Sequence, residues 1–309
     1  MDANNKRKLI ILGSGPAGLA AALYAARAEL KPIVLSGMFL HGQAATTSII
    51  ENYPGFPDGV GGEELGQLFQ KQAEHFGAEI IYDQAVSLDL ASNPFKIDTY
   101  AESYYTDAII IATGADPKKL NVPGEKDFTG RGVSYCATCD GAFFKQKKVV
   151  VVGGGDSALE EALFLTRFAD SVTIIHRRDE LRAGPILEKR ARNNAKIHFL
   201  WNSVVTEIIG ENFVNAVRIK NVKLQQEELL PIDGVFIFIG NTPNSQLFEG
   251  KLVLDDKGYI KVDHLMQTSV PGVFAAGEIA DPHFRQVITS AGMGAAAAIQ
   301  SVHYLESLE

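Results

Sequence analysis

The chain has 309 residues, 46% of them hydrophobic and 21% charged, with a formal net charge of -8. That length exceeds what one hydrophobic core organises, so two domains are expected, and the composition is that of a globular rather than a disordered chain. The moderate acidity gives no support to nucleic acid or an anionic membrane as a partner. The only two cysteines, Cys136 and Cys139, share one tetrapeptide and cannot staple distant parts of the fold.

Basic residues open the chain, but the apolar run after them is only Leu9 to Leu12 before Gly13 interrupts it. This is too short for a signal peptide, and a membrane span needs about 20 apolar residues. A soluble, cytoplasmic protein is expected.

Between Lys8 and Ser36 the chain reads KLIIL, GSGPAG, LAAALYAARAE and KPIVLS, which predicts strand, glycine turn, helix and strand in a βαβ unit. Gly13, Gly15 and Gly18 fit the dinucleotide fingerprint: a tight turn, close approach of backbone to a pyrophosphate, and close packing of helix on strand. A glycine-rich turn is weak by itself. Its place after a strand and at the start of a helix, whose free amides attract phosphate, favours a nucleotide site. The acid that usually meets the ribose at the end of the second strand is missing, since Ser36 and Gly37 end that strand and Phe39 follows closely. TDAIIIATGADP closes this region near Pro117 as an apolar strand broken by Gly and Pro.

Cys136, Ala137, Thr138 and Cys139 form a C-x-x-C pair. A zinc site would need further ligands, and neither a second C-x-x-C nor a nearby histidine pair is present, so no metal is expected. A purely structural disulfide across so small a loop stabilises little and would be reduced in a cytoplasm. A redox-active dithiol is the favoured reading. Asp140, next in sequence, is either a proton donor to it or a turn residue before Gly141.

The βαβ plan returns between Lys147 and Arg178 as KKVVVV, GGGDSA, LEEALFLTRFAD and SVTIIHRR. Gly153, Gly154, Gly155, Asp156, Ser157 and Ala158 form its turn, with Ala in the last fingerprint position, which the motif tolerates. The second strand runs into His176, Arg177 and Arg178, with Arg182 beyond. Arginine forks hold a 2′-phosphate where a carboxylate would select a free hydroxyl, so NADPH is expected here over NADH. The competing reading of HRRDELR is a solvated helix start with paired charges. DGVFIFIGNTPNS ends the second copy near Ser245, and GYIKV, SVPGVFAAGE and a small-residue helix from about Thr289 to Leu308 follow. The expected fold is α/β with two Rossmann-like nucleotide-binding domains: residues 1–116 with 246–309, and an inserted domain of residues 117–245.

With two such units and CATCD ahead of the second, nearly the whole chain resembles the low-molecular-weight thioredoxin reductases. The resemblance runs from GSGPAG through HGQAATTSIIENYPGFP, ATGADP, CATCDG, GGGDSA, HRRDELR and IGNTPN to GVFAAGE and RQVITSAG. It implies FAD in the first domain, NADPH and the dithiol in the inserted one, and a homodimer. Cys139 would take electrons from the flavin, Cys136 would attack the disulfide of thioredoxin, and Asp140 would give the proton. It places FAD against Gly13, Gly15, Pro16, Ala17, Gly42 and Gln43, with Asn52. It adds Ala112, Thr113 and Gly114, then Gly277 and Glu278, and the segment Arg285, Gln286 and Val287. NADPH would meet Gly154, Gly155, Asp156, Ser157, His176, Arg177, Arg178 and Arg182.

Three residues depart from the family pattern. Glu278 stands where an Asp is usual, Phe39 replaces an acid near the adenosine, and Ala142 replaces one of two aromatic residues that dock thioredoxin, leaving Phe143 and Phe144. The family's mechanism also implies rotation of the inserted domain on linkers near Asp116 and Pro117 and near Thr242 to Ser245. Related flavoproteins that use oxygen or ferredoxin are the nearest rivals, and the basic HRRDELR segment argues against both.

Overall fold

The computed structural model describes residues 6–47, 49, 50 and 52–308; the side chains of Thr138 and Cys139 lie outside the described set. Two compact units emerge, Met1–Asp116 with Thr242–Glu309, and Pro117–Asn241. The second interrupts the first, and the chain returns before the boundary expected after Ser245. The reason is Asn244: its backbone N–H donates to the Gly114 carbonyl and its side-chain amide to the Thr113 carbonyl, tying it to the first unit.

The elements of the outgoing chain are β1 (Lys6–Leu12), α1 (Pro16–Arg27), β2 (Ile33–Leu35), α2 (Gly62–His75), β3 (Glu79–Ile81), β4 (Ala85–Asp89), β5 (Phe95–Thr99), β6 (Ser103–Ile111) and β7 (Ala115–Pro117). The inserted unit begins with β8 (Val133–Ser134), α3 (Ala137–Asp140), β9 (Lys148–Gly153), α4 (Asp156–Leu165), β10 (Ser171–His176), α5 (Pro185–Arg192) and β11 (Ile197–Trp201). It continues with β12 (Ser203–Gly210), β13 (Val214–Asn221), β14 (Glu227–Pro231) and β15 (Gly234–Phe238), and the chain returns through β16 (Asn241–Pro243) to β17 (Val273–Ala275) and α6 (Val287–Glu306).

In the first unit β3, β2, β1 and β6 lie side by side in parallel, and β17 continues the sheet beside the end of β6. The β4–β5 hairpin joins the start of β6 antiparallel. In the inserted unit β11, β10, β9, β15 and β8 are all parallel in that order, with β12, β13 and β14 as a separate antiparallel sheet. Each parallel sheet therefore grows outward on both sides of a central strand, β1 in the first unit and β9 in the inserted one, as in Rossmann-like units.

The strands read as unbroken apolar runs because both faces are covered. Along β1, Leu9 and Ile11 pack with Ala21, Ala22 and Ala25 of α1, while Ile10 and Leu12 face the opposite cluster around Leu88, Ile97 and Phe248. Helix α1 starts at Pro16, where a missing N–H costs nothing, and continues in alanines that let neighbouring backbone come close. Among the described residues no helix is long and apolar enough to cross a membrane.

Helix α6 lies so close on α1 that a Cβ at Gly294 would collide with the Ala17 carbonyl oxygen. The variant Gly294→Val is expected to destabilise the first unit by about 1–3 kcal/mol through overpacking, read as a lower midpoint in urea unfolding. An unchanged midpoint would contradict the close α1–α6 contact.

Candidate active site

The dithiol segment leaves β8 and enters a single helical turn. Ser134 locks that entry: its Oγ accepts from the Cys136 N–H and donates to the Cys136 carbonyl, each at 3.0 Å. Ala137 is fully buried in the core that includes Ala158, Leu159 and Ala162 of α4, so the turn is seated on that helix. Cys136 is disulfide-bonded, and the only other cysteine is Cys139, whose side chain lies outside the described set. Asp140 closes the turn, its N–H donating to the Cys136 carbonyl at 3.2 Å.

Tyr135 anchors the other flank. Its hydroxyl donates to Glu125 Oε1 at 2.7 Å, and the Glu125 carboxylate also accepts the Leu120 and Asn121 amides at 2.8 and 2.5 Å. Burial, then this carboxylate, pushes the Tyr135 phenol far above its ordinary value. Of the two aromatic residues expected to meet a partner, only Phe143 is exposed. Phe144 is buried edge-on against Phe236, with ring centroids 5.0 Å apart, and supports the sheet instead.

Beneath the turn lies Glu161 of α4. It accepts a hydrogen bond from the Ala137 backbone, and its Oε2 is buried with no partner among the described residues. Burial first, then the neighbouring Glu160 charge, pushes its carboxyl up to about 7.

The arginine segment is exposed, and it is not a helix start. It forms bends after β10, because Gly184 and Pro185 delay the next helix. The Arg182 N–H donates to the Gly154 carbonyl at 2.7 Å, and Asp156 Oδ1 accepts the Gly184 N–H at 2.7 Å, so both ends of the segment fold back onto the glycine turn. Arg177, Arg178 and Arg182 line a cavity of about 450 Å³ together with Lys223. Lys223 is ion-paired to Asp179 at 2.5 Å. His176 is not on that wall. It is buried against Gly154, where a Cβ would strike its imidazole. Burial, reinforced by Arg182 and Arg178, holds it below the ordinary histidine value. Gly155 and Ser157 sit at the start of α4, and a Cβ on Gly155 would enter open space.

In the first unit a cavity of about 920 Å³ opens at the glycine turn, near the upper end of the roughly 300–1,000 Å³ usual for cofactor pockets. Gly13, at φ +108°, makes the turn that Leu35 closes by accepting its N–H at 2.8 Å. Pro16, Ala17, Gly15, Gly42 and Gln43 line the same space, as do Ala112, Thr113 and Gly114. Gly277, Glu278, Arg285, Gln286 and Val287 complete its wall. Asn52 does not line the cavity but reaches it by donating to Gln286 Oε1 at 2.9 Å.

The Arg285 segment is built by Asp281, whose carboxylate accepts the His283, Phe284 and Arg285 amides at 2.8, 2.9 and 2.9 Å. Gln286 and Thr289 form a capping box that opens α6 onto the cavity. Met38, Phe39 and Tyr100 are exposed large apolar residues on the rim, and no carboxylate stands at the end of β2. The glycine cradle, the start of α1, the volume and the apolar rim fit a dinucleotide such as FAD.

Sequence reasoning missed His41, Glu125, Glu161 and Asn244. His41 is buried, with its ring nitrogens 3.2 Å from Glu63 and 2.8 Å from Gln70, and it ties the Gly42 loop to α2. Glu161 had a signal, since it falls on the apolar stripe of Ala158, Ala162 and Leu165. No group of His, Cys, Asp or Glu suited to a metal ion is found among the described residues.

Residues 7–294 match the family model described as pyridine nucleotide-disulphide oxidoreductase. A thioredoxin reductase of Streptomyces coelicolor is 48% identical over 305 residues, spanning 98% of this chain and 95% of that protein. Thioredoxin reductase 1 of Saccharomyces cerevisiae is 49% identical over 98% of this chain and 99% of its own length. The crystal structure of Lactococcus lactis thioredoxin reductase is 42% identical, superposes with a TM-score of 0.94, and matches 97% of this chain and 99% of its own.

The raised Glu161 carboxyl predicts a pH-dependent stability. The folded protein binds this proton more tightly than the unfolded chain, so the contribution is complete below about 4.5 and is lost as pH rises to about 7. Its full size is about 3 kcal/mol. Glu161→Gln should flatten that decline in unfolding measured across this range, and a slope unchanged from wild type would contradict the assignment.

Proposed function

Since the chain belongs to the pyridine nucleotide-disulphide oxidoreductase family and to its thioredoxin reductases, we propose that it reduces oxidised thioredoxin with NADPH, through FAD and the Cys136–Cys139 pair. The observation that carries this reading is a disulfide-bonded Cys136 on a turn seated in the same unit as an arginine-lined cavity.

When bound, NADPH supplies a hydride and the flavin relays its electron pair to the disulfide. Gly13, Gly15, Pro16 and Ala17 would hold the FAD pyrophosphate on the free amides of α1, while Gln43, Thr113, Glu278 and the Arg285–Val287 segment fix the rest of the cofactor. Ala112, Gly114, Gly42 and Gly277 let backbone approach it, and Asn52 orients Gln286. Gly154, Gly155, Asp156 and Ser157 serve the same office for NADPH. Arg177, Arg178 and Arg182 would hold its 2′-phosphate, and His176 backs Gly154.

Two electrons and one proton convert the disulfide to a thiolate and a thiol. The Cys136 thiolate attacks one sulfur of the thioredoxin disulfide, forming a mixed disulfide and expelling a partner thiolate. Cys139, deprotonated, then attacks Cys136, re-forms the internal disulfide and expels the second partner thiolate. Asp140 donates a proton during exchange, and Phe143 offers an exposed apolar contact to the partner. A homodimeric, cytoplasmic enzyme belongs to the same reading.

The test is steady-state reduction of oxidised thioredoxin by wild type and by the double variant Arg177→Ala, Arg178→Ala. Wild type should turn over with NADPH in preference to NADH. The variant should lose about 10- to 100-fold in kcat/KM for NADPH, the scale of lost charge-assisted hydrogen bonds, with NADH little affected. Absence of thioredoxin reduction would overturn the function, and equal use of the two nucleotides by wild type would overturn the 2′-phosphate site.

A further inference from the structure

One buried ionisable group has no part in the reaction as described. Glu161 lies three residues after buried Ala158 and four before buried Leu165, so helical phase turns it toward the core that α4 shares with the dithiol turn. There its carboxyl accepts the Ala137 N–H, and that amide is the one joining Ala137 to Cys136. Its second oxygen, Oε2, is buried and lacks a partner among the described residues.

An ionised carboxylate in this position leaves a charged oxygen unsatisfied, whereas the neutral acid keeps the Ala137 bond at far less desolvation cost. This accounts for its carboxyl being pushed up to about 7. The elements packed on α4 are α3, α5, β9, β10 and β15. Their other ionisable side chains are Asp140 on α3, Lys148 on β9, His176 on β10, and Glu188, Lys189, Arg190 and Arg192 on α5. Among the described residues the charge that acts on Glu161 comes from Glu160, its neighbour on α4.

We propose that Glu161 is a positioning residue for the dithiol, which holds the Cys136–Ala137 amide while neutral and opposes thiolate formation above it once ionised. The inference rests on the redox role of Cys136 and Cys139 proposed above. Reduction breaks the S–S bond with two electrons, taken from reduced nicotinamide or from an external dithiol, and one proton, leaving one thiol and one thiolate. Glu161 supplies no electrons. Its effect is electrostatic: a neutral acid permits the negative sulfur, and an ionised one adds a like charge at the same turn. Thiolate formation and Glu161 ionisation are therefore a coupled titration, in which each makes the other harder. Exchange with a partner disulfide thereby acquires a ceiling on its gain from rising pH.

The experiment uses the full-length flavin-loaded protein, reduced with excess dithiothreitol, freed of it anaerobically, and alkylated with iodoacetamide between pH 5.5 and 9.5. Wild type should show a thiol reactivity profile with a break near pH 7 followed by a slower climb. Glu161→Gln, which keeps an acceptor for the Ala137 amide and cannot ionise, should titrate in one step and react about tenfold faster near pH 8, the scale of one like charge removed at close range. Superimposable profiles would overturn the proposal. Should the Gln variant fail to fold, the wild-type profile decides by itself: a break near pH 7 supports the coupling, and a single smooth titration overturns it. A disulfide that dithiothreitol cannot reduce would overturn the redox reading and this inference with it. A reducible dithiol with unchanged profiles would remove only the role of Glu161.

Discussion

A parallel strand that turns directly into a helix leaves backbone amides without partners, and the glycine turn of each unit is built on that constraint. In each unit the central strand ends in glycine because the following helix must start close to the sheet with its first N–H groups free. At the first turn Gly13 adopts a positive φ and Leu35 takes its amide. At the second, Arg182 folds back onto the Gly154 carbonyl while His176 fills the space under the same glycine. Chain reversal and a helix start suited to phosphate are thus one feature of the backbone, repeated in each unit.

The dithiol turn uses a different solution. A C-x-x-C segment must be held firmly enough to keep two sulfurs within bonding reach and openly enough to expose one of them to a partner. Ser134 fixes the backbone at Cys136, Tyr135 is held by the buried Glu125 carboxylate, and Ala137 is sealed into the α4 core. The turn is therefore anchored from three directions by groups that take no electrons. Phe144 belongs to this support, which is why its burial against Phe236 leaves Phe143 as the exposed aromatic residue of the pair.

Much of this was readable from residue order. The two βαβ units and the C-x-x-C are local patterns, and local patterns survive folding. What could not be read depends on tertiary neighbours. Whether Phe143 or Phe144 faces solvent is decided by how a short turn docks on β15, and two adjacent phenylalanines carry no periodicity to reveal it. His41 gains meaning only once α2 brings Glu63 and Gln70 beside it. NTPNS reads as one turn-rich linker, whereas Asn244 hydrogen-bonds back to Thr113 and Gly114. Glu161 is the instructive case: EE within an apolar helix reads as surface charge, yet the spacing to Ala158 and Leu165 already put one of the two acids on the inner face.

The central claim is that electrons from a reduced nicotinamide reach the Cys136–Cys139 disulfide. Anaerobic titration of the flavin-loaded protein with NADPH, comparing wild type with Cys139→Ser, tests it by counting. Wild type should take up about one electron pair more than the variant, because a disulfide accepts two electrons on reduction. Equal uptake by the two proteins would contradict the account.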